Sequence, residues 1–195
     1  MGDAPPSPPA IAHRTRGFGV KILVLCGSLR AQSSNRALLQ AYERLAPSSI
    51  SVQHYEQLGE LPHCNPDLDG ETVPHQAGAL RSLVASADAV IISTPEYAHG
   101  LPGAFKNALD WLVSDPAFAG KPVVILHSSR GSAWALDSLK EVLRTKSARI
   151  IETASVSLPL GSNQLDAEAI LTRADLRQLL RHSIEELEND AKMKP

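Results

Sequence analysis

VKILVLCGSLRAQSSN, residues 20–35, is the stretch that decides the fold. Residues 20–26 form a nearly continuous apolar run with β-branched side chains, which predicts a strand covered on both faces. From residue 35 to residue 45, apolar side chains recur at helical spacing, so a helix is expected there. The polar loop GSLRAQSSN, residues 27–35, therefore connects the carboxyl end of a buried strand to the first turn of a helix.

The rest of the chain repeats this alternation of strand and helix. Further strands are predicted at residues 50–55, 89–93, 123–127 and 149–156. Further helices are predicted at residues 77–87, 102–113, 133–143 and 165–189, the last with a break near Thr172. Strands that alternate with helices predict an α/β fold with a parallel sheet and right-handed crossovers. Five strands favour a flavodoxin-like three-layer sandwich, with strand order 2-1-3-4-5 and helices on both faces, over an eight-stranded barrel.

Length and composition indicate one domain and exclude several kinds of partner. The chain has 195 residues and a net charge of −2, which argues against nucleic acid or an anionic membrane as a partner. No apolar run reaches the ~18 residues of a membrane span. Residues 1–17, rich in proline, are expected to form a disordered tail before a single domain at residues 18–190.

Two cysteines give no disulfide framework and no metal site. Cys26 falls within the first strand pattern and is expected to be a buried thiol. Cys64 lies beside His63, but a zinc site would need a second pair of ligands. A reduced, cytoplasmic protein without a metal is therefore expected.

The first loop is predicted to bind a phosphate group. Its donors are Ser28, Arg30, Ser33, Ser34 and Asn35, which can act together with the N–H groups of the following helix. The loop matches neither G-x-x-x-x-G-K-[ST] nor G-x-G-x-x-G, so a terminal monophosphate such as that of FMN is favoured over ATP or a dinucleotide. Alternatively, one of the last three residues only caps the helix.

Two further loops follow strands at the same edge of the predicted sheet, where open α/β sheets bind ligands. TPEYAHGLPG, residues 94–103, combines stiff prolines with glycines around Tyr97, which suits a flat ring bonded by backbone groups. The alternative is an ordinary connection in which Tyr97 packs locally. SSRGSAW, residues 128–134, follows the fourth strand.

The paired motifs GSLRAQSSN and PEYAHGLPGAFKNALDW, residues 27–35 and 95–111, resemble the NADPH-dependent FMN reductase family. This family of the flavodoxin-like superfamily includes chromate, quinone and azo-dye reductases. Its usual pattern is G-S-L-R-x-x-S-x-N followed by P-E-Y-N-x-G-x-P-G-x-L-K-N-A-x-D-W. The similarity extends over roughly residues 20–160.

The resemblance implies a role for each matching residue. The FMN phosphate would be held by Ser28, Arg30, Ser33 and Asn35. The isoalloxazine ring would be bordered, largely through backbone groups, by Pro95, Glu96, Tyr97 and Ala98, with Gly100 keeping the ring face open. The third flavin loop would be Ser129, Arg130 and Gly131. Ala98 stands where the family has asparagine, which removes an amide near the flavin and is expected to alter substrate preference.

The resemblance also implies a two-step reaction carried by the flavin. NADPH or NADH would give hydride to flavin N5, and a small acceptor would then take the electrons at the same face. Free flavin, quinone, chromate, azo and nitro compounds are all candidate acceptors. No side chain need be an essential acid or base; His99, on the second loop, is the candidate proton donor, and His127 is expected to be structural.

In this family the helix after the second loop contributes to a dimer interface, so a homodimer or homotetramer is expected. Trp111 would lie in that interface, or else pack within the subunit against Pro116 or Phe118. Two other functions remain open, a single-electron carrier and a flavin-binding redox sensor. Electron carriers of this fold are usually strongly acidic, unlike this nearly neutral chain.

Overall fold

The computed structural model describes residues 19–70, 72–128, 133–160 and 165–193. The predicted tail, residues 1–17, lies outside this part of the chain. The strands are β1 Val20–Cys26, β2 Ile50–His54, β3 Ala89–Ser93, β4 Pro122–Ser128, β5 Arg149–Ile150 and β6 Val156–Leu158. The α-helices are α1 Ser34–Leu45, α2 His75–Ser86, α3 Gly103–Asp110, α4 Trp134–Thr145, α5 Ala167–Thr172 and α6 Ala174–Lys192.

The strands form a parallel sheet of order β2-β1-β3-β4-β5, with β6 also paired to β4. The predicted strand order 2-1-3-4-5 and flavodoxin-like fold are therefore confirmed. Strands β1 and β3 lie side by side at the centre, with Leu25 opposite Ile92 and Cys26 opposite Ser93. Consequently the carboxyl ends of β1, β3 and β4 lie next to one another at one edge of the sheet.

The prediction of a single fifth strand at residues 149–156 is wrong. The chain pairs with β4 as β5, leaves the ladder for one turn, and returns as β6. Within that turn the Ser155 N–H donates to the Ile151 carbonyl at 3.0 Å. The Ser155 hydroxyl accepts from the Ile125 N–H of β4 at 3.0 Å, so a side chain satisfies the donor that the turn leaves without a strand partner.

Helices cover both faces of the sheet, as predicted. Alternate residues of β1 point to opposite sides, so Ile22 and Val24 join one apolar cluster and Leu23 and Leu25 the other. The first cluster contains the apolar faces of α1, α5 and α6, and the second those of α2, α3 and α4. Burying each such aliphatic side chain stabilises the fold by about 1.5–3 kcal/mol.

The predicted break in the last helix is confirmed, because α5 ends at Thr172 and α6 begins at Ala174. Arg173 between them is extended, with φ −76° and ψ 112°, so the two helices do not join. Among the helices in the described ranges, none is both long and apolar enough to cross a membrane.

Trp111 lies in the turn after α3 and is packed inside the subunit, with 0% of its surface exposed. Its indole N–H donates to the Pro62 carbonyl at 2.8 Å, and it belongs to the same apolar cluster as Phe118. Arg81 donates to the Trp111 carbonyl from Nε at 2.8 Å and Nη2 at 2.6 Å. The in-subunit alternative for Trp111 is therefore correct, and this residue gives no reason for a partner subunit.

Candidate active site

A cleft of about 240 Å³ opens at the carboxyl ends of β1, β3 and β4. It is lined by Ser28, Arg30, Ser33, Ser34, Asn35, Thr94, Pro95, Glu96, Tyr97, His127 and Ser128. Eight of these residues were predicted as site residues from the sequence. The loops after β1 and β3 thus face each other across one cavity, as the strand order requires.

Gly27 sets how closely these two loops approach. Its N–H donates to the Ser93 carbonyl at 2.8 Å, which continues the pairing of β1 with β3. A Cβ atom at Gly27 would lie 2.1 Å from the Thr94 hydroxyl oxygen and 3.1 Å from the Thr94 Cα atom. Glycine is therefore required here because Thr94, including its Cβ atom at 2.6 Å, leaves no room for a side chain.

Asn35 ties the first turn of α1 to the ends of β3 and β4. It is buried, with 3% of its surface exposed. Its Oδ1 accepts from the Ser93 hydroxyl at 2.9 Å and from the Ser128 hydroxyl at 3.3 Å. Because this oxygen is used inside the protein, the side chain of Asn35 has a structural role that the sequence motif alone does not reveal.

The N-terminus of α1 lacks a side-chain cap. Ser33 is the N-cap residue, with an extended backbone, but its hydroxyl makes no capping hydrogen bond. The first turn of α1 also contains no acidic residue. Since the first N–H groups of a helix have no partner within it, these donors and the positive end of the helix dipole are available to an anion. The capping alternative is therefore not realised by Ser33.

Ser28 and Arg30, in the same loop, also line this anion site. The buried Ser28 hydroxyl accepts from the Arg30 N–H at 3.3 Å, which bends the loop so that the exposed Arg30 side chain lies at the cleft. Below them, the Cys26 thiol donates to the Ser28 carbonyl at 3.7 Å. Burial raises the pKa of the Cys26 thiol, so it remains neutral, as the sequence predicted for a buried cysteine.

The loop after β3 ends in a tight turn at residues 97–100. Tyr97 and Gly100 exchange two backbone hydrogen bonds, N–H to carbonyl, at 3.0 and 2.9 Å. Ala98 and His99 between them are both left-handed, with φ of 49° and 60°. This is the type I′ pattern, in which asparagine is favoured at the first central position. The family asparagine at position 98 thus has a conformational reason, and the N–H groups of Tyr97 and Gly100 are already occupied.

Glu96 connects this turn to α4. Its Oε2 accepts from the Ala135 N–H in the first turn of α4 at 2.9 Å, and its Oε1 lies 3.4 Å from His99 Nδ1. The carboxylate therefore caps a helix across the cleft, where a negative charge is stabilised by the helix dipole. The sequence interpretation of Glu96 as a residue important mainly for its backbone missed this contact.

A second cavity of about 320 Å³ adjoins the first. It is lined by Gly27, Leu29, Arg30, Tyr97, Pro102, Gly103 and Ala104. Arg30 and Tyr97 line both cavities and so form the partition between them. A ligand in the first cleft would therefore have open space beside it.

Several predicted site residues are not in the lining of the first cleft. Ala98 and Gly100 lie in the adjoining turn, and Ser129, Arg130 and Gly131 lie outside the described residues. Three lining residues, Thr94, His127 and Ser128, were not among the predicted site residues. Thr94 and Ser128 begin the two further loops that the rule of carboxyl ends selected, and His127 was expected to be structural.

Within the described ranges, no group of three or more His, Cys, Asp or Glu side chains is arranged to hold a metal ion. The polar and charged groups that line the cleft instead form an anion site, and a turn with a strained backbone lies beside it. One side of the cleft has converging hydroxyls, an arginine and an uncapped helix end. The other side has a turn that carries an aromatic side chain. This combination fits a phosphate joined to a flat ring.

The sequence profile described as NADPH-dependent FMN reductase matches residues 20–163. The chain belongs to the NADPH-dependent FMN reductase family. It is therefore an oxidoreductase, and the predicted family, enzyme class and use of FMN with NAD(P)H are confirmed at the level of that family.

Individual relatives of this reductase family support the same conclusion. An NAD(P)H-dependent FMN reductase of Pseudomonas aeruginosa is 31% identical over 87% of this chain and 94% of its own length. A 2-hydroxy-1,4-benzoquinone reductase of a Burkholderia species is 34% identical over 84% of this chain and 92% of its own. Among solved structures, the flavoenzyme NAD(P)H:acceptor oxidoreductase FerB of Paracoccus denitrificans has a TM-score of 0.68 at 27% identity, covering 87% of this chain and 98% of that chain.

Proposed function

We propose that the cleft binds FMN and that the protein passes electrons from NADPH or NADH to a small acceptor in two separate steps. The observation that supports this most is the uncapped N-terminus of α1, with the Arg30 side chain in the same cleft. When bound, FMN supplies the redox chemistry, and the protein supplies position and electrostatics.

The phosphate end of the site would be built from the loop after β1. The Ser28 and Ser33 hydroxyls, the first N–H groups of α1 and the Arg30 guanidinium together offer the donors that a phosphate dianion needs. Asn35 would contribute through its backbone, because its Oδ1 holds the Ser93 and Ser128 hydroxyls.

The ring end would be built from the loop after β3. Pro95 and Glu96 offer backbone groups on a stiff segment, whereas Tyr97, whose N–H is used in the turn, offers its aromatic side chain. The positive φ of Ala98 and His99 turns the chain sharply beside the ring position and leaves the adjoining cavity open to a second substrate. None of these side chains need donate or accept a proton.

The test is to load the purified protein with FMN, pass it through gel filtration, and follow NADPH oxidation with 1,4-naphthoquinone. We expect FMN to remain bound and many equivalents of NADPH to be oxidised. A single stoichiometric bleaching of the flavin would instead indicate an electron carrier or sensor. Loss of all flavin on the gel-filtration column would refute the proposal that the cleft binds FMN.

A matched pair of arginine variants sharpens this test. Arg30→Ala should weaken FMN binding by about 10- to 100-fold, the loss expected for one charge-assisted contact to a phosphate. Arg44→Ala, at the other end of α1 in an exposed pair with Glu168, should leave FMN affinity within twofold. Equal affinities for both variants would remove the phosphate role of Arg30.

We also propose that the protein assembles as a homodimer or homotetramer. Family membership supports this, whereas Trp111 no longer does, because its burial is complete within one subunit. Light scattering after gel filtration would decide it, and a single-subunit mass at micromolar concentration would refute it.

We further propose a cytoplasmic location. Cys26 and Cys64 are both free thiols, and one of them is buried, which suits a reducing compartment. Fractionation of cells that express the protein would test this, and recovery in a secreted fraction would contradict it.

A further inference from the structure

The two tryptophans of the chain are placed very differently. Trp111 is fully buried, whereas Trp134, the first residue of α4, has 62% of its surface exposed. A tryptophan side chain carries more apolar surface than any other, and leaving it in water forgoes the stabilisation that burial would give. Trp134 lines neither cavity itself, but its ring contacts His99 in the turn after β3, and Tyr97 of that turn lines both cavities. Its exposure there points to a contact with something outside the folded chain.

Trp134 is held on a firm support. The opposite face of α4 is anchored in the protein by Ala135, Leu139 and Leu143, all buried. The N-terminus of the helix is fixed by Glu96, whose carboxylate accepts from the Ala135 N–H at 2.9 Å. The indole thus projects from the end of an anchored helix that is tied directly to the loop lining the cleft.

The Trp134 ring and the His99 ring contact each other in a T-shaped arrangement. Their centroids are 5.8 Å apart and their planes are inclined by 72°. His99 is itself 73% exposed at its side chain and stands two residues after Tyr97, which lines the cleft. Both rings are largely exposed, so each keeps aromatic surface against which a third flat ring can pack.

We propose that Trp134 and His99 form the binding corner for the second substrate, and that this selects flat aromatic acceptors, quinones above all, over inorganic oxidants. The inference rests on the proposed function and narrows its range of acceptors. His99 acts here as a wall of the site, held by Glu96 and by its left-handed backbone, and not as a proton donor.

The test compares acceptor preference in FMN-loaded variants. Trp134→Ala should lower the ratio of kcat/KM for 1,4-naphthoquinone to that for ferricyanide by about tenfold, the scale of one aromatic contact. Trp134→Phe should recover most of that ratio. His99→Gly, which keeps the left-handed turn without strain, should lower it by about threefold. Val113→Ala, an equally exposed apolar residue in the turn after α3, is the matched control and should not change the ratio.

A second readout does not depend on turnover. Adding 1,4-naphthoquinone to the oxidised, FMN-loaded protein should quench tryptophan fluorescence in the wild type, and this saturable quenching should be absent in Trp134→Phe. Quenching of the same amplitude in both proteins would overturn the proposal. An unchanged acceptor ratio in Trp134→Ala would do so as well.

Two further outcomes separate this inference from others. If light scattering shows that Trp134→Ala has half the mass of the wild type, the indole belongs to a subunit interface and the proposal fails. If the wild type holds FMN and its Trp134 is quenched but no NADPH is oxidised, the proposed function fails while the binding corner stands.

Discussion

The two walls of the cleft are built in opposite ways. The wall formed by the loop after β1 is anchored in the core. Ser28 and Asn35 are buried, and Asn35 is hydrogen-bonded to the ends of two other strands. The wall after β3 ends in an exposed turn, in which Tyr97 has 49% of its surface in solvent and two non-glycine residues are left-handed. The first wall belongs to the sheet, whereas the second is a hairpin added to it.

Under the proposed function, this difference would separate two tasks, binding of the phosphate and selection of the acceptor. A phosphate is the same in every turnover, so its site can be rigid and joined to the core. The acceptor differs between relatives, which carry names such as FMN reductase and 2-hydroxy-1,4-benzoquinone reductase. An exposed turn tolerates substitution better than a buried junction, and Ala98 in place of the family asparagine is one such substitution.

Gly27→Ala should have the largest effect, because it acts where the two walls meet. The added methyl group would lie 2.1 Å from the Thr94 hydroxyl oxygen, so one of the two loops must move. We expect a loss of about 3 kcal/mol in the free energy of unfolding and weaker FMN binding. Urea unfolding and FMN titration measure the two effects.

Gly78→Ala is the control for this change. Gly78 lies in α2 with no atom within 4 Å of the added methyl group, so alanine should stabilise the helix by up to about 1 kcal/mol. If Gly27→Ala were as stable as Gly78→Ala and bound FMN normally, the close approach of the two loops would matter neither for stability nor for FMN binding.

Asn35→Ala tests the rigid wall alone. Removing Oδ1 takes away the acceptor of the Ser128 hydroxyl, whereas the Ser93 hydroxyl can still donate to the Leu126 carbonyl at 2.8 Å. The change should therefore cost about 1–2 kcal/mol of unfolding free energy. Asn35→Asp is the informative partner, because it keeps an acceptor oxygen but adds a negative charge near the phosphate position. It should be more stable than Asn35→Ala and bind FMN more weakly than Asn35→Ala. The reverse order of FMN affinities would argue that no phosphate lies there.

These contacts show where sequence reasoning is strong and where it stops. Strands β1 and β3 have the predicted bounds, because continuous apolar runs that end at polar residues leave little freedom. The segment RIIETASV carries the same β-branched signal along its length, yet it divides into β5 and β6. That division depends on a contact between Ser155 and Ile125, which are 30 positions apart in the chain and which no local pattern connects.

In the candidate site, too, some features follow from the local sequence and others depend on contacts between distant elements. Ser28, Arg30 and Ser33, which the motif singled out, all line the cleft, because each lies between a strand end and a helix start. The internal bond of Asn35 and the link from Glu96 to Ala135 were not predictable. Each joins elements that only the folded sheet brings together.

Glu96→Ala tests the link between the exposed wall and α4. Without the carboxylate, the N-terminus of α4 loses its cap, which should cost about 1 kcal/mol. Because Trp134 stands on that helix end, the preference for 1,4-naphthoquinone over ferricyanide should fall as it does for Trp134→Ala. Glu141→Ala, on an exposed face of the same helix, controls for loss of charge and should change neither quantity. A normal acceptor preference in Glu96→Ala would mean that the Trp134 indole does not depend on the hydrogen bond from Ala135 to Glu96 for its position.

Ala98→Asn should have the smallest effect and the opposite sign. A left-handed backbone costs an alanine about 1 kcal/mol more than an asparagine, so the variant should unfold at higher urea concentration. FMN affinity should remain unchanged, because the gain is conformational and lies in the hairpin. Ser147→Gly, at the third non-glycine position with positive φ among the described residues, should stabilise the end of α4 by a similar amount without touching the cleft. If Ala98→Asn altered acceptor preference and Ser147→Gly did not, the side chain at position 98 would itself contact the substrate. The exposed turn would then select the acceptor by side-chain contacts as well as by its backbone conformation.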